Sequence, residues 1–217
     1  MSKIYGPLVL NLDKRVDRLI EINKEFDRLN LTYIRFPATL NTMNPALGCI
    51  DSHCRALEEF IKTEDDMVFI CEDDAQFKCA RTDIDQHLIE FVQSKAQVLC
   101  LGFYASDPKP YTNLLLRSRD IQNRVAYVVK REAAPELIQV WRKLYLLLIT
   151  NGHKKENSYE KEYMNLPIIN KAADIYRGDQ AWKLCQQSLI FVIPKKNLVV
   201  QRESFSDIEQ KLVNYGH

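Results

Sequence analysis

The sequence predicts an α/β protein built on a mostly parallel sheet with helices on both faces. Three observations predict it. Short apolar runs alternate with amphipathic helical stretches through the first half of the chain. Those runs are apolar at consecutive positions, as strands covered on both faces require. The chain has 217 residues, 46% of them hydrophobic, which is enough for one sizeable core. It reads as a single domain over residues 1–217, with the polar stretch NGHKKENSYEKE at 151–162 as an exposed loop.

Ile4 to Leu12 read as the first strand, and Asp13 as the N-cap of the helix that follows. In that helix Val16, Leu19, Ile22, Phe26 and Leu29 recur at steps of three and four, so one face is apolar. Thr32 to Phe36 form a second strand. Asn44-Pro45 read as an N-cap with proline at the first helical position, and Leu47, Ile50, Cys54, Leu57 and Ile61 mark that helix's inner face. Met67 to Cys71 form an uninterrupted apolar strand. Residues 84–94 read as helix, Val98 to Tyr104 as a buried strand, and DPKPYTN at 107–113 as a loop. Val125 to Val129 form a strand. Ala134, Leu137, Ile138, Trp141, Leu144, Tyr145 and Leu148 mark a long helix whose aromatics are core. Gly178 to Gln187 read as helix and Leu189 to Ile193 as strand. Ser206 opens a final helix as N-cap, with Glu209 completing a capping box.

Charge excludes several functions. Lys plus Arg number 30 and Asp plus Glu 29, a net charge of +1. The whole molecule therefore has no pull toward nucleic acid or an anionic membrane, and any anion site is local. No segment approaches the ~20 apolar residues of a membrane helix, and MSKIYGPLVLNLDKR lacks a signal-like apolar stretch. A cytoplasmic protein with no transmembrane segment is expected. The six cysteines form no C-x-x-C pair, and several sit inside apolar runs, so they read as buried thiols. With only four scattered histidines, a structural zinc site is not expected. Neither a P-loop nor a Gly-x-Ser-x-Gly elbow is present, so ATP-driven and serine-hydrolase chemistry lack support.

In an open sheet of this kind, ligands bind outside the carboxyl ends of the strands. There VFICEDDA delivers Glu72, Asp73 and Asp74 at the end of a fully apolar strand. Adjacent like charges repel, and burying them costs free energy unless a cation neutralises them. Mg²⁺ or Mn²⁺ suits such oxygen ligands, binding one or two carboxylates together with substrate phosphates. If the strand geometry persists through the triplet, alternation sends Glu72 and Asp74 to one side and Asp73 to the other, which makes Glu72 and Asp74 the candidate metal pair. The competing reading is a solvated acidic turn.

Several ordered motifs extend this reading. VLNLDKRVDRL, RFPAT, LGCIDSHCRALEEF, VFICEDDA, VAYVVKREAAPELI, GDQAWKLCQ and PKKNLVVQRESFSDI follow one another along the chain. In their order and spacing the chain resembles glycosyltransferase family 25, the lipooligosaccharide and collagen galactosyltransferases, from about Ile4 to Ile208. The resemblance implies a GT-A fold and a nucleotide-sugar donor of the UDP-hexose kind. It also implies a divalent metal, Mn²⁺ or Mg²⁺, and transfer with inversion at the sugar carbon. The expected cytoplasmic location points to an acceptor hydroxyl reachable there, on a glycan, a protein or a lipid-linked acceptor.

The resemblance further implies that Asn11, Arg15, Arg18, Ser52, His53, Asp73 and Asp207 bind the nucleotide sugar, with Gln201 nearby. Arginine suits phosphate; the plain alternative for Arg15 and Arg18 is a solvated basic helix start. His53 shares a helix side with Ile50 and Leu57, so it points inward, and by itself reads as a core histidine. Asp179 reads either as an acidic helix start or as the general base toward the acceptor hydroxyl that inversion needs. Two rivals stay open. One is a catalytically degenerate relative that only binds a sugar nucleotide or a partner. The other is a metal-dependent phosphoryl-transfer or hydrolytic enzyme.

Overall fold

The computed structural model describes residues 2–151, 178–206 and 211–213. The elements are β1 (Ile4–Asn11), α1 (Val16–Arg28), β2 (Ile34–Pro37), α2 (Pro45–Phe60), β3 (Met67–Glu72), β4 (Ala75–Phe77) and α3 (Arg81–Gln93). Then come β5 (Val98–Cys100), β6 (Tyr104–Ala105), β7 (Lys109–Pro110), β8 (Leu115–Arg117), β9 (Ile121–Gln122), β10 (Ala126–Lys130) and α4 (Ala134–Asn151). A short helix Gly178–Ala181 runs into a 3-10 turn, Trp182–Gln187, followed by β11 (Phe191–Pro194), β12 (Val199–Gln201), β13 (Ser204–Ser206) and β14 (Lys211–Val213).

The central sheet has eight strands in the order β2-β1-β3-β10-β5-β11-β8-β7. β1 lies parallel to β2 and β3, and β5 lies parallel to β11. β10 is inserted antiparallel between β3 and β5, and β8 runs antiparallel to β11. The sheet is therefore mostly parallel, with β2, β1, β3, β5 and β11 pointing the same way.

The uninterrupted apolar strands have a direct packing cause. Val68 and Ile70 of β3, with Leu8, Leu10, Tyr127 and Val129, pack against α2 and α4 through Ile50, Leu57, Phe60, Leu137 and Trp141. Met67, Phe69 and Cys71, with Val9, Leu99 and Val128, face the other side and pack against Ile22 and Phe26 of α1 and Phe91 of α3. Successive side chains point to opposite faces, both faces are covered, and so every position must be apolar. Trp141 is core, as expected. All six cysteines are free thiols; Cys54, Cys71, Cys100 and Cys185 are buried, while Cys49 and Cys79 are half-buried. Among the described residues no helix is long and apolar enough to cross a membrane.

The fold corrects several sequence expectations. Asp13 does not cap α1. The chain makes a turn, Arg15 N–H to Leu12 O at 2.8 Å, so the helix starts at Val16 with Arg15 as N-cap, and Asp13 instead accepts from Arg35. Asn44 does cap α2, accepting from Ala46 N–H at 3.1 Å with Pro45 following. The strand expected over Val98–Tyr104 ends at Cys100. A Cβ on Gly102 would lie 2.5 Å from Val199 O, so the backbones meet there and the chain leaves the sheet. Lys109 and Pro110, expected in a loop, pair with β8.

Ser206 ends β13, which pairs antiparallel with β14, Ser206 opposite Lys211, so the helix expected from Ser206 does not extend to Lys211–Val213. Arg18 donates to Phe205 O at 2.9 Å and Arg15 does so at 3.3 Å, contacts that hold this backbone extended. Asp207 and Glu209 lie outside the described residues, as does the polar stretch 151–162 beyond Asn151.

Candidate functional site

A cleft of about 480 Å³ opens where β1, β2 and β3 end, lined there by Leu10, Leu12, Ala38 and the acidic triplet. Arg15, Arg18, Ser52, His53, Asp179 and Gln201 also line it, so the fold gathers in one place residues spread across the chain. Asn11 lies beneath it, 1% exposed.

β3 ends at Glu72, and the chain turns at Asp73 and Asp74. Strand alternation therefore stops two residues earlier than the sequence expectation assumed. Glu72 faces His53, whereas Asp73 and Asp74 both face Arg18 instead of pointing opposite ways. Arg18 Nη1 lies 2.8 Å from Asp73 Oδ1 and 3.3 Å from Asp74 Oδ2. Asp73 Oδ2 accepts from Asn11 Nδ2 at 2.8 Å, so both of its oxygens are engaged. Asp74 Oδ1 is buried and has no hydrogen-bond partner among the described residues. Burial, with Glu72 and Asp73 adding repulsion, pushes the Asp74 carboxyl up to about 7 against the pull of Arg18. Asp73 moves up as well, chiefly through burial.

Asn11 is fully spent on the scaffold. Its amide nitrogen also donates to Arg15 O at 3.1 Å, and its oxygen accepts from Arg35 Nε at 2.9 Å. Ser52 likewise ties loop to helix. Its hydroxyl accepts from Thr39 N–H at 2.8 Å and donates to Gly48 O at 2.6 Å. Arg15 pairs with Asp17 at 2.8 Å and reaches the β13 backbone.

His53 is the centre of a buried chain of hydrogen bonds. Its Nδ1 lies 2.8 Å from Tyr127 Oη and its Nε2 lies 3.0 Å from Glu72 Oε1. Burial and nearby Arg124 push His53 down to about 4, so the ring is neutral at pH 7. Burial drives Tyr127 well up, keeping it a phenol. Burial would raise Glu72 too, but His53, Arg124 and Arg18 outweigh it and hold the carboxyl below its usual range. The network then assigns the protons: Tyr127 donates to Nδ1, and Nε2–H donates to the Glu72 carboxylate. Gln201 Nε2 approaches the second Glu72 oxygen at 3.5 Å.

The sequence reading missed Arg124, Cys49, Asn123 and Tyr127. Arg124 is 7% exposed. Its guanidinium stacks over Trp141 at 5.2 Å, and its Nη2 lies 3.2 Å from Cys49 Sγ. The signal was present: a charged residue abuts the apolar run VAYVV. Because β10 runs antiparallel to β3, the start of β10 shares the edge where β3 ends. Asn123 N–H donates to Asp179 Oδ2 at 3.3 Å, which brings Asp179 to the same rim.

No model of a known protein family matches the chain, and no curated protein matches it in sequence. Among solved structures it is similar to A197 from STIV, with 10% identity and a TM-score of 0.45, covering 100% of this chain and 96% of that one. It is similar to a glycosyltransferase involved in glycosylation of the major capsid of PBCV-1, with 10% identity, a TM-score of 0.42, and 88% and 91% coverage. It is also similar to a mannose-1-phosphate geranyltransferase from Thermus thermophilus, with 10% identity and a TM-score of 0.40, covering 86% of this chain and 58% of that one.

Proposed function

We propose that this chain is a metal-dependent glycosyltransferase of the GT-A type, akin to family 25. In this reading it transfers a hexose from a nucleotide sugar, a UDP-hexose by resemblance, to a hydroxyl acceptor with inversion. The observation that carries the reading is the acidic triplet where β3 ends, half-buried Glu72 with buried Asp73 and Asp74, sharing with Arg15 and Arg18 a cleft of about 480 Å³.

The residues fit a divalent ion. Asp74 Oδ1 is buried without a partner among the described residues, an arrangement that a cation would relieve. Mg²⁺ or Mn²⁺ needs only one or two carboxylates when a diphosphate completes its shell. Asp74 is the ligand best placed. Glu72, the other member of the sequence-derived pair, already serves His53 and Gln201. When bound, the ion would supply positive charge for a departing diphosphate. Arg15 and Arg18 line the same cleft and suit the phosphates by charge and shape. Asp179, on the rim with Asn123, would take the proton of the acceptor hydroxyl.

One observation favours the degenerate alternative. Arg18 already bridges Asp73 and Asp74, so a cationic group is in place without metal. A thermal-shift and hydrolysis screen against a panel of nucleotide sugars decides between the two. It is run with Mn²⁺, Mg²⁺ or EDTA, beside Asp74→Ala. Donor-specific stabilisation with slow release of nucleoside diphosphate, lost with EDTA and in the variant, is the expected result. Donor binding without turnover would select the binding module, and silence toward every donor would overturn both.

A further inference from the structure

Beside the acidic triplet, three side chains of a different chemical character converge. Cys49 Sγ, a His53 ring nitrogen and a Glu72 carboxylate oxygen all lie within 4.8 Å of one another. Cys49 and His53 are four residues apart on α2, so helical geometry stacks them on one side. Glu72 closes the set from the end of β3, and all three line the cleft.

We propose that Cys49, His53 and Glu72 form a binding site for a borderline transition-metal ion of the Zn²⁺ or Co²⁺ class. This site is separate from the oxygen-only site of Asp74 and independent of the glycosyl-transfer reading. Thiolate, imidazole and carboxylate are the ligand types such ions take. Three protein ligands facing a cleft leave one coordination position for water or a ligand. In a tetrahedral shell, bond lengths of about 2.3 Å to sulfur and about 2.0 Å to nitrogen put those donors roughly 3.5 Å apart. The three donors, already within 4.8 Å of one another, would have to draw together by roughly 1 Å.

The surroundings fit the proposal. His53 is 0% exposed, and its Nδ1 is held by Tyr127 Oη at 2.8 Å. With an ion on Nε2, the Nδ1 proton would be donated to that oxygen, the outer-shell contact that orients metal-binding histidines. On binding, the Cys49 S–H proton leaves to solvent as the sulfur–metal bond forms. The ion's double charge then offsets thiolate and carboxylate, while Arg124 keeps Asp179 as a countercharge. A search for cysteine doublets cannot find this site, since one cysteine and one histidine come from a helix and the carboxylate from a strand.

The test is a Co²⁺ titration of the chelator-treated full chain, followed by absorption. One equivalent should produce a thiolate-to-cobalt charge-transfer band that Zn²⁺ abolishes and Mg²⁺ leaves. Cys49→Ser should remove the band, and Cys79→Ser, at the other half-buried cysteine, should keep it. Tyr127→Phe should weaken binding about tenfold. A second measurement needs no variant: Zn²⁺ should slow alkylation of Cys49, mapped by mass spectrometry, by about tenfold or more. Absence of the band, its survival in Cys49→Ser, or unchanged alkylation would overturn the proposal. None of these readouts involves a sugar donor, so failure here and failure of the transferase reading are separate results.

Discussion

Arg18 Nη1 lies 2.8 Å from Asp73 Oδ1, with the two side chains only 16% and 8% exposed. The same guanidinium donates to Ser204 Oγ at 2.8 Å and Phe205 O at 2.9 Å, so it both neutralises the acidic turn and fastens β13 beside the cleft. Removing one partner of a buried pair strands the other charge. Arg18→Met should therefore cost about 3 kcal/mol in urea unfolding, and β13 should lose amide-exchange protection. Asp73→Asn at the same pair should cost less, because the amide still accepts from Arg18.

Asp74 predicts a pH dependence of stability. Its folded value is raised from 3.8 to about 7, so between these the folded state holds a proton that the unfolded state has lost. Stability from this group is full below pH 3.8 and is lost as pH rises through about 7. The loss is about 2–4 kcal/mol. Asp74→Asn should flatten that slope and be more stable than wild type at pH 8. The protonated carboxyl cannot ligate a cation, so Mn²⁺ affinity of the wild type should climb over the same window. Denaturation curves and Mn²⁺ titrations from pH 4 to 8 check both.

Tyr127→Phe isolates one buried hydrogen bond. The ring keeps its T-shaped packing on Trp182 at 5.5 Å, and only the donor to His53 Nδ1 is lost. A buried acceptor left unsatisfied costs about 1–3 kcal/mol. His53 should then show a changed tautomer balance by nitrogen-detected NMR. An unchanged balance would mean that Tyr127 does not set the ring's protonation.

Gly178 is tight against Arg124. A Cβ there would sit 2.3 Å from Arg124 Nη1 and 2.6 Å from Cζ, and the guanidinium has little room because Trp141 and Cys49 hold it. Trp141 Nε1 also donates to Gly178 O at 2.9 Å. Gly178→Ala should destabilise by about 1–3 kcal/mol and alter the emission of the stacked Trp141 and Trp182 pair. Gly178→Ala with wild-type stability and emission would show that the guanidinium can move aside.

Much of the site was legible because its residues end elements whose periodicity is plain. The apolar run Met67–Cys71 could only be a buried strand, and the carboxylates after it had to stand at a sheet edge. The Asn44-Pro45 start of α2 fixed the helical side that carries His53. The misses share a cause. An apolar strand carries no mark of its direction, so nothing local revealed that β10 is reversed and begins, with Asn123 and Arg124, at the cleft. The sequence Ser206-Asp207-Ile208-Glu209 fits a helix cap, but contacts from Arg15 and Arg18, nearly the whole chain away, hold Ser204–Ser206 in a strand.

The sequence by itself determined the α/β class, the two-faced burial of the strands and the placement of Glu72, Asp73 and Asp74 at a sheet edge. Each follows from hydrophobic periodicity, a local property. Tertiary structure alone decided which charges meet: Arg18 with Asp73 and Asp74, His53 with Glu72 and Tyr127, Arg124 with Cys49. These partners are distant in sequence, and the energy of a charge depends on its neighbours and its burial more than on its identity. Pairing and protonation are therefore properties of the folded cleft, written only when strands of both directions bring their ends to one edge.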